Sequence, residues 1–269
     1  MTAGGSGRLE VIFRGPAPGC APRPAPLLFI HGAYAAAWCW DEHFLGFFAA
    51  AGYACHALSL SGHGASGGRD CLDSFGIDRY VEDVAELAAT LPDPPVLIGH
   101  SMGGMVAQKY LERAPAAALV LMASVPPQGL WVAAMGLAFQ RPGLMRDLNR
   151  LLEGGAVALD TLREAMFAQS VAQEDLARWY RRMQPESHRA IWDMTLCNLP
   201  RVSRMQLPPL LVLGAEHDHL IPVSQVEMTA RSYGVAAEIF PGMGHGMMLE
   251  RDWRKVAARI GGWLDEQSL

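Results

Sequence analysis

Pro95-Val96-Leu97-Ile98-Gly99-His100-Ser101-Met102-Gly103 is the stretch on which the reading of this chain turns. An apolar run of strand length meets a glycine-flanked serine, and a helical pattern follows at once. A strand that reverses so sharply into a helix holds the apical serine in a strained conformation. The flanking glycines are required because a Cβ there would clash across the turn. Such strain lifts the hydroxyl out of the sheet. The same turn leaves the N–H of Met102 free at a helix start, where an oxyanion could be held. Gly-X-Ser-X-Gly also arises by chance, with the serine merely capping a helix, so its surroundings decide between the two readings.

Outward from this turn, short apolar runs alternate with longer amphipathic ones. Residues 8–14 read as an edge strand, 27–30 as a buried strand, 40–51 as a helix ended by Gly52, and 53–60 as a strand. Ile77, Tyr80, Val81, Val84, Leu87, Ala88 and Leu91 recur at helical spacing until Pro92. After the serine strand come a helix over 102–113 and a strand over 118–123. Strands at 210–213 and 237–240 flank a helix at 223–233. Trp253, Val256, Ile260, Trp263 and Leu264 line a closing helix. Strand alternating with helix implies an α/β protein with a mostly parallel central sheet and helices on both faces.

The alternation stops at Pro126 and resumes near Leu207. The roughly 80 residues between are far too many for a loop in a compact domain. The expected organisation is a core of residues 1–125 and 207–269 with a helical cap, 126–206, inserted in it. Cap helices are expected over 130–140 and 144–152, after capping boxes at Thr161-X-X-Glu164 and Ser170-X-X-Gln173, and from Pro185.

At 269 residues and 51% hydrophobic, the chain can bury a large core. Its net charge of −5 and lack of a basic tract argue against a nucleic-acid partner. No apolar stretch is long enough to span a bilayer, so no stable membrane anchor is expected. Residues 1–7 read as a frayed tail, not as a signal peptide. The five cysteines are scattered, with no Cys-X-X-Cys, which fits small buried thiols in a reduced, cytoplasmic protein.

Catalytic groups on such sheets sit at the carboxyl ends of strands. Ile30 runs into His31-Gly32-Ala33-Tyr34, where the glycine lets the backbone bend and offer the N–H of Ala33, or of Tyr34, to a bound carbonyl. Leu213 runs into Gly214-Ala215-Glu216-His217-Asp218-His219-Leu220-Ile221-Pro222. Phe240 runs into Pro241-Gly242-Met243-Gly244-His245, with small or flexible neighbours that leave the histidine room.

These features together resemble the α/β-hydrolase superfamily over nearly the full length: the serine elbow, an upstream His-Gly strand end, a Gly-X-X-X-Asp-X-X-Ile-Pro segment and a late histidine, in the family's order. The resemblance implies Ser101 as nucleophile, His245 as general base and then acid, Asp218 as the group that orients the imidazole, and Ala33 and Met102 as oxyanion donors. It also implies no cofactor. Serine needs an adjacent base near neutral pH, and the base needs a carboxylate to set its tautomer. Glu216 is a rival for the acid, but the family pattern puts the acid three residues before Ile221. His217, Asp218 and His219 are consecutive and so poorly placed to share a metal ion. His100 reads as a packed structural residue pointing away across the turn, His31 as a brace for the oxyanion loop, and His63 as structural.

The serine excludes the aspartate-nucleophile chemistry of epoxide hydrolases and haloalkane dehalogenases. His31-Gly32-Ala33 with Ala37-Trp38-Cys39-Trp40 resembles the plant methyl esterase and hydroxynitrile lyase branch. Those lyases carry a lysine directly after the histidine, where this chain has Gly246. Methionines and aromatics around the site and in the cap suit an apolar substrate, with Tyr34, Trp131, Phe139, Phe167, Trp192 and Met247 as candidate pocket residues. No cation is placed by motif to grip a charged group. The expectation is a serine esterase or lipase-like hydrolase acting on a small-molecule carboxylic ester with an apolar or acyl group. The alternatives are a thioesterase, an acyltransferase or a carbon–carbon bond hydrolase with the same residues, or a receptor-like binding protein that retains them.

Overall fold

The computed structural model describes residues 8–269; the tail expected at residues 1–7 lies outside them. Seven strands form one sheet in the spatial order β1-β3-β2-β4-β5-β6-β7. They are β1 (Glu10–Arg14), β2 (Leu27–Ile30), β3 (Cys55–Ser59), β4 (Val96–His100), β5 (Ala118–Met122), β6 (Leu210–Ala215) and β7 (Ala237–Phe240). All neighbours pair in parallel except β1, which runs antiparallel to β3 at the sheet edge. This is the α/β architecture that the alternation of patterns implied.

The helices are α1 (Trp38–Asp41), α2 (Phe44–Ala50), α3 (Ile77–Ala88) and α4 (Met102–Tyr110), then α5 (Trp131–Gln140), α6 (Pro142–Leu152), α7 (Leu159–Met166), α8 (Gln173–Arg182) and α9 (His188–Trp192) between β5 and β6, and finally α10 (Val223–Tyr233) and α11 (Trp253–Glu266). Side chains alternate across a strand, so β2 feeds two cores. Leu27 and Phe29 pack with Trp40, Phe44 and Phe48 of α1 and α2 and with Val256 and Ile260 of α11. Leu28 and Ile30 pack with Tyr80 and Val84 of α3, Met105 of α4 and Val226 of α10. Both faces are thereby covered, which is why β2, β4 and β5 are buried from end to end.

Several local expectations need correction. The helix expected at 40–51 is two helices, α1 and α2, with His43 between them in a non-helical conformation. Neither capping box forms. Thr161 lies inside α7, where its hydroxyl donates to Asp147 at 2.8 Å, and α8 opens after Ala172, not at Ser170. The helix expected from Pro185 begins at His188, capped by the Ser187 hydroxyl, which accepts from the Ala190 N–H. A serine or threonine three residues before Glu or Gln marks a helix start only if it stands at the boundary, and tertiary packing moved these boundaries. Of the cysteines, Cys39 and Cys55 are buried, whereas Cys71 and Cys197 are exposed. Among the described residues no helix is long and apolar enough to cross a membrane.

Candidate active site

Ser101 stands between β4 and α4 with φ 52° and ψ −119°. A non-glycine residue holds positive φ only where its surroundings force it. Here a Cβ at Gly103 would run into the carbonyl oxygens of Ile30 and His31, and one at Gly99 would meet the Gly103 carbonyl. The close approach of α4 to β2 and β4 thus requires both glycines. Met102 opens α4, where first-turn N–H groups have no intrahelical acceptor. Across the site, the turn after β2 carries Ala33 and then Tyr34, itself at φ 64°. His31 braces this turn. Its Nε2 accepts the Leu60 N–H at 3.0 Å, so Nδ1 is the atom that donates to the Gly32 carbonyl at 2.8 Å. Burial first, and then the neighbouring His63, push the His31 pKa down to about 3, which keeps the ring neutral.

The loops after β6 and β7 meet. The N–H groups of Glu216 and His217 donate to the carbonyls of Phe240 and Met243 at 3.0 and 2.8 Å. This seam sets Asp218 against His245, with Oδ2 2.7 Å from Nδ1. The carboxylate can only accept, so Nδ1 carries a proton, and in the neutral ring Nε2 keeps its lone pair. Oδ1 accepts from the N–H groups of both Leu220 and Ile221 at 2.8 Å, which fixes the carboxylate in place. The rival acid is elsewhere: Glu216 is half-exposed and accepts from the Gly242 N–H. His217 is also exposed, so it and the inward-turned Asp218 do not converge on a common point.

His100 is buried as expected, but it does not point away across the turn: it lies against His245 and lines the same cavity as Ser101. It does more than fill space, since its Nε2 donates to the backbone carbonyl of His245 at 2.9 Å and the two rings lie 4.6 Å apart. Burial first, and then the neighbouring His245, hold His100 well below the ordinary histidine value, so its ring stays neutral. His63 is enclosed with Glu186, Nε2 to Oε2 3.1 Å, and Glu186 also accepts from the Tyr80 hydroxyl at 2.7 Å. Burial opposes ionisation of Glu186, but His63 and these donors outweigh it and hold the carboxyl below its ordinary value. That cluster ties the 61–66 loop to the stretch before α9.

Ser101 and His245 open into one cavity of about 390 Å³ that runs beneath α5–α9. Ala33, Tyr34, Trp131, Phe167 and Trp192 line it, with Trp131 and Trp192 half-exposed at its rim. Two expected pocket residues do not. Phe139 is 79% exposed on the outer side of α5, and Met247 is fully enclosed in the core while Met248 lines the cavity in its place. The reason is local: α5 is apolar on every face, so its sequence carries no period that tells inside from outside, and the 246–249 stretch is a turn with no period at all.

The sequence reading missed the double backbone clamp on Asp218 and the contact from His100 to His245. It also missed Glu250, an inaccessible carboxylate at the end of an apolar run. Burial pushes the Glu250 carboxyl above its ordinary value, against the pull of the N–H groups of Ala168, Gly244 and Gln169. An acidic residue directly after Met247-Met248-Leu249 was the signal available.

Residues 27–259 match the family described as "Alpha/beta hydrolase family". The chain is similar to the monoacylglycerol lipase of Mycolicibacterium smegmatis, 25% identical over 97% of this chain and 94% of that protein. It is also similar to esterase PIR7B of Oryza sativa subsp. japonica, 31% identical over 56% of this chain and 62% of that protein. Among solved structures, an esterase from Exiguobacterium antarcticum superposes with a TM-score of 0.72 at 18% identity, covering 96% of this chain and 95% of that one, a likeness of fold.

Proposed function

The chain belongs to the alpha/beta hydrolase family, and on that footing we propose that it is a serine hydrolase that cleaves a neutral carboxylic ester with an apolar acyl group. The observation that carries the reading is the Asp218–His245 pair and the strained Ser101 turn facing one apolar cavity. Its relatives named as esterases and a monoacylglycerol lipase support ester hydrolysis as the reaction class.

In this reading Ser101 Oγ attacks the ester carbonyl carbon while His245 Nε2 takes its proton. The carbonyl oxygen becomes an oxyanion held by the N–H groups of Ala33 and Met102. The tetrahedral species collapses, the C–O bond breaks, and the alcohol leaves with the proton from His245. Water then attacks the acyl-enzyme, His245 taking its proton, and the acid is released with Ser101 restored. Asp218 keeps Nδ1 protonated and stabilises the imidazolium. The stretch 126–206 serves as a cap whose helices shape the acyl site. Gly246 stands where lyases of the plant branch carry lysine, which favours hydrolysis over cyanohydrin cleavage.

A panel of p-nitrophenyl esters with Ser101→Ala as control tests the proposal. The variant should fold and lose about 10³-fold or more of the activity. A folded Ser101→Ala protein with full activity would overturn it. A single turnover with tightly retained product would instead mark a receptor.

A further inference from the structure

We propose that Glu250 is a positioning residue that fastens the cap to the loop bearing His245, so that the seating of the acyl pocket and the placement of the base are one structural event. The inference rests on His245 being the base of the proposed hydrolase and extends it to a residue outside the reacting groups. Glu250 Oε1 accepts the N–H of Gly244, the residue before His245, at 2.8 Å. The same oxygen accepts the N–H of Ala168, in the link between α7 and α8, at 2.7 Å. Gln169 N–H approaches Oε2 at 3.3 Å, and the Gln169 side chain in turn accepts from the Asp252 N–H at 2.9 Å. A second stitch runs the other way, from the Gly246 N–H to the Met166 carbonyl at 2.7 Å.

Buried carboxylates are costly and need such partners. Here the partners are backbone groups from two chain segments far apart in sequence. Between the stitched residues sits Phe167, buried against Trp179 and forming part of the cavity wall. The glycines around His245 follow from this contact. A Cβ at Gly244 would stand 2.8 Å from the Ala168 nitrogen and 2.9 Å from the Met166 carbonyl oxygen, and one at Gly246 would stand 3.0 Å from the Phe167 ring. They make room for the cap and not for substrate. The wall at Phe167 is thereby tied to the backbone that carries His245.

The test compares Glu250→Gln with Glu250→Leu on p-nitrophenyl acetate and octanoate, with active sites counted by burst titration using diethyl p-nitrophenyl phosphate. Gln keeps the bridging acceptor and should stay within about threefold of wild type in kcat per titrated site. Leu removes it and should lose about tenfold or more in kcat even on the acetate, which is too short to need the cap, and should raise KM for the octanoate. Gly244→Ala, which forces the same two segments apart while leaving the carboxylate, should act like Leu and covers the case in which Glu250→Leu does not fold. Wild-type kcat per titrated site in Glu250→Leu, or in Gly244→Ala if Leu does not fold, overturns the inference, as does a Gln variant as impaired as Leu. An active Ser101→Ala would bring down the hydrolase reading itself, whereas an inactive Ser101→Ala beside a fully active Glu250→Leu sinks only the role of Glu250.

Discussion

Replacing Asp218 by asparagine separates chemistry from folding, because the two carboxylate oxygens have different tasks. Oδ1 accepts two backbone N–H groups and Oδ2 faces His245 Nδ1. The amide can keep its oxygen toward Leu220 and Ile221, which turns its NH₂ to the imidazole and forces the proton onto Nε2, where it blocks the base. The reverse orientation rescues the tautomer but leaves the part-buried Leu220 and buried Ile221 N–H groups facing a donor. At about 1–3 kcal/mol for each unsatisfied group, the productive orientation lies about 2–6 kcal/mol higher. That corresponds to a loss of about 30-fold to 3 × 10⁴-fold, before the lost charge on the imidazolium is added. Fold stability should change little, since the favoured orientation satisfies both backbone donors. The assay is kcat/KM on p-nitrophenyl butyrate together with thermal melting, with Glu216→Gln as the comparison. An Asp218→Asn enzyme within tenfold of wild type, or a Glu216→Gln enzyme that is the worse of the two, would refute the assignment.

The cavity that Ser101 and His245 share sets a chain-length limit. With up to about 0.8 kcal/mol per methylene, kcat/KM should climb up to about fourfold per carbon and then fall where the cavity is filled. Leu137→Phe, which narrows the cavity, should move that maximum to shorter esters and leave p-nitrophenyl acetate unchanged; an unmoved maximum would detach the cavity from the acyl group. Because His31 is held neutral down to about pH 3, the unfolded chain binds a proton that the fold does not from about pH 6.5 down to pH 3, and stability falls across that window as pH drops. Between pH 7.5 and 5.5 His31 should contribute about 1.4 kcal/mol of that loss, with His100 adding in the same direction and the raised carboxyls of Asp83 and Glu250 opposing it. Urea midpoints of wild type and His31→Gln at the two pH values check this, and an equal pH dependence in both proteins contradicts it. Dialysis against EDTA should leave ester hydrolysis unchanged; activity lost and then restored by a divalent ion would return attention to His217, Asp218 and His219.

Periodicity and turn chemistry act within a few residues, so whatever they govern could be read along the chain. The buried strands at 27–30 and 118–122, the serine turn with its two obligatory glycines, and the strand ends that carry Ala33, Asp218 and His245 all follow from local rules of burial and backbone clash. The inner and outer sides of α5 could not be read in this way, because Val132, Met135 and Phe139 are as apolar as Ala133 and Leu137 and only the neighbouring helices select which are covered. Nor could the capping of α7 and α8, where packing shifted the helix starts away from Thr161 and Ser170. The supports of the site, which are His100 on the His245 carbonyl, the Leu220 and Ile221 donors on Asp218, and Glu250 between Gly244 and Ala168, are hydrogen bonds between backbone and side chains, some of them far apart in the chain. A backbone N–H is the same at every residue and leaves no mark in the sequence, so which one a buried carboxylate grips is decided only when the chain has folded.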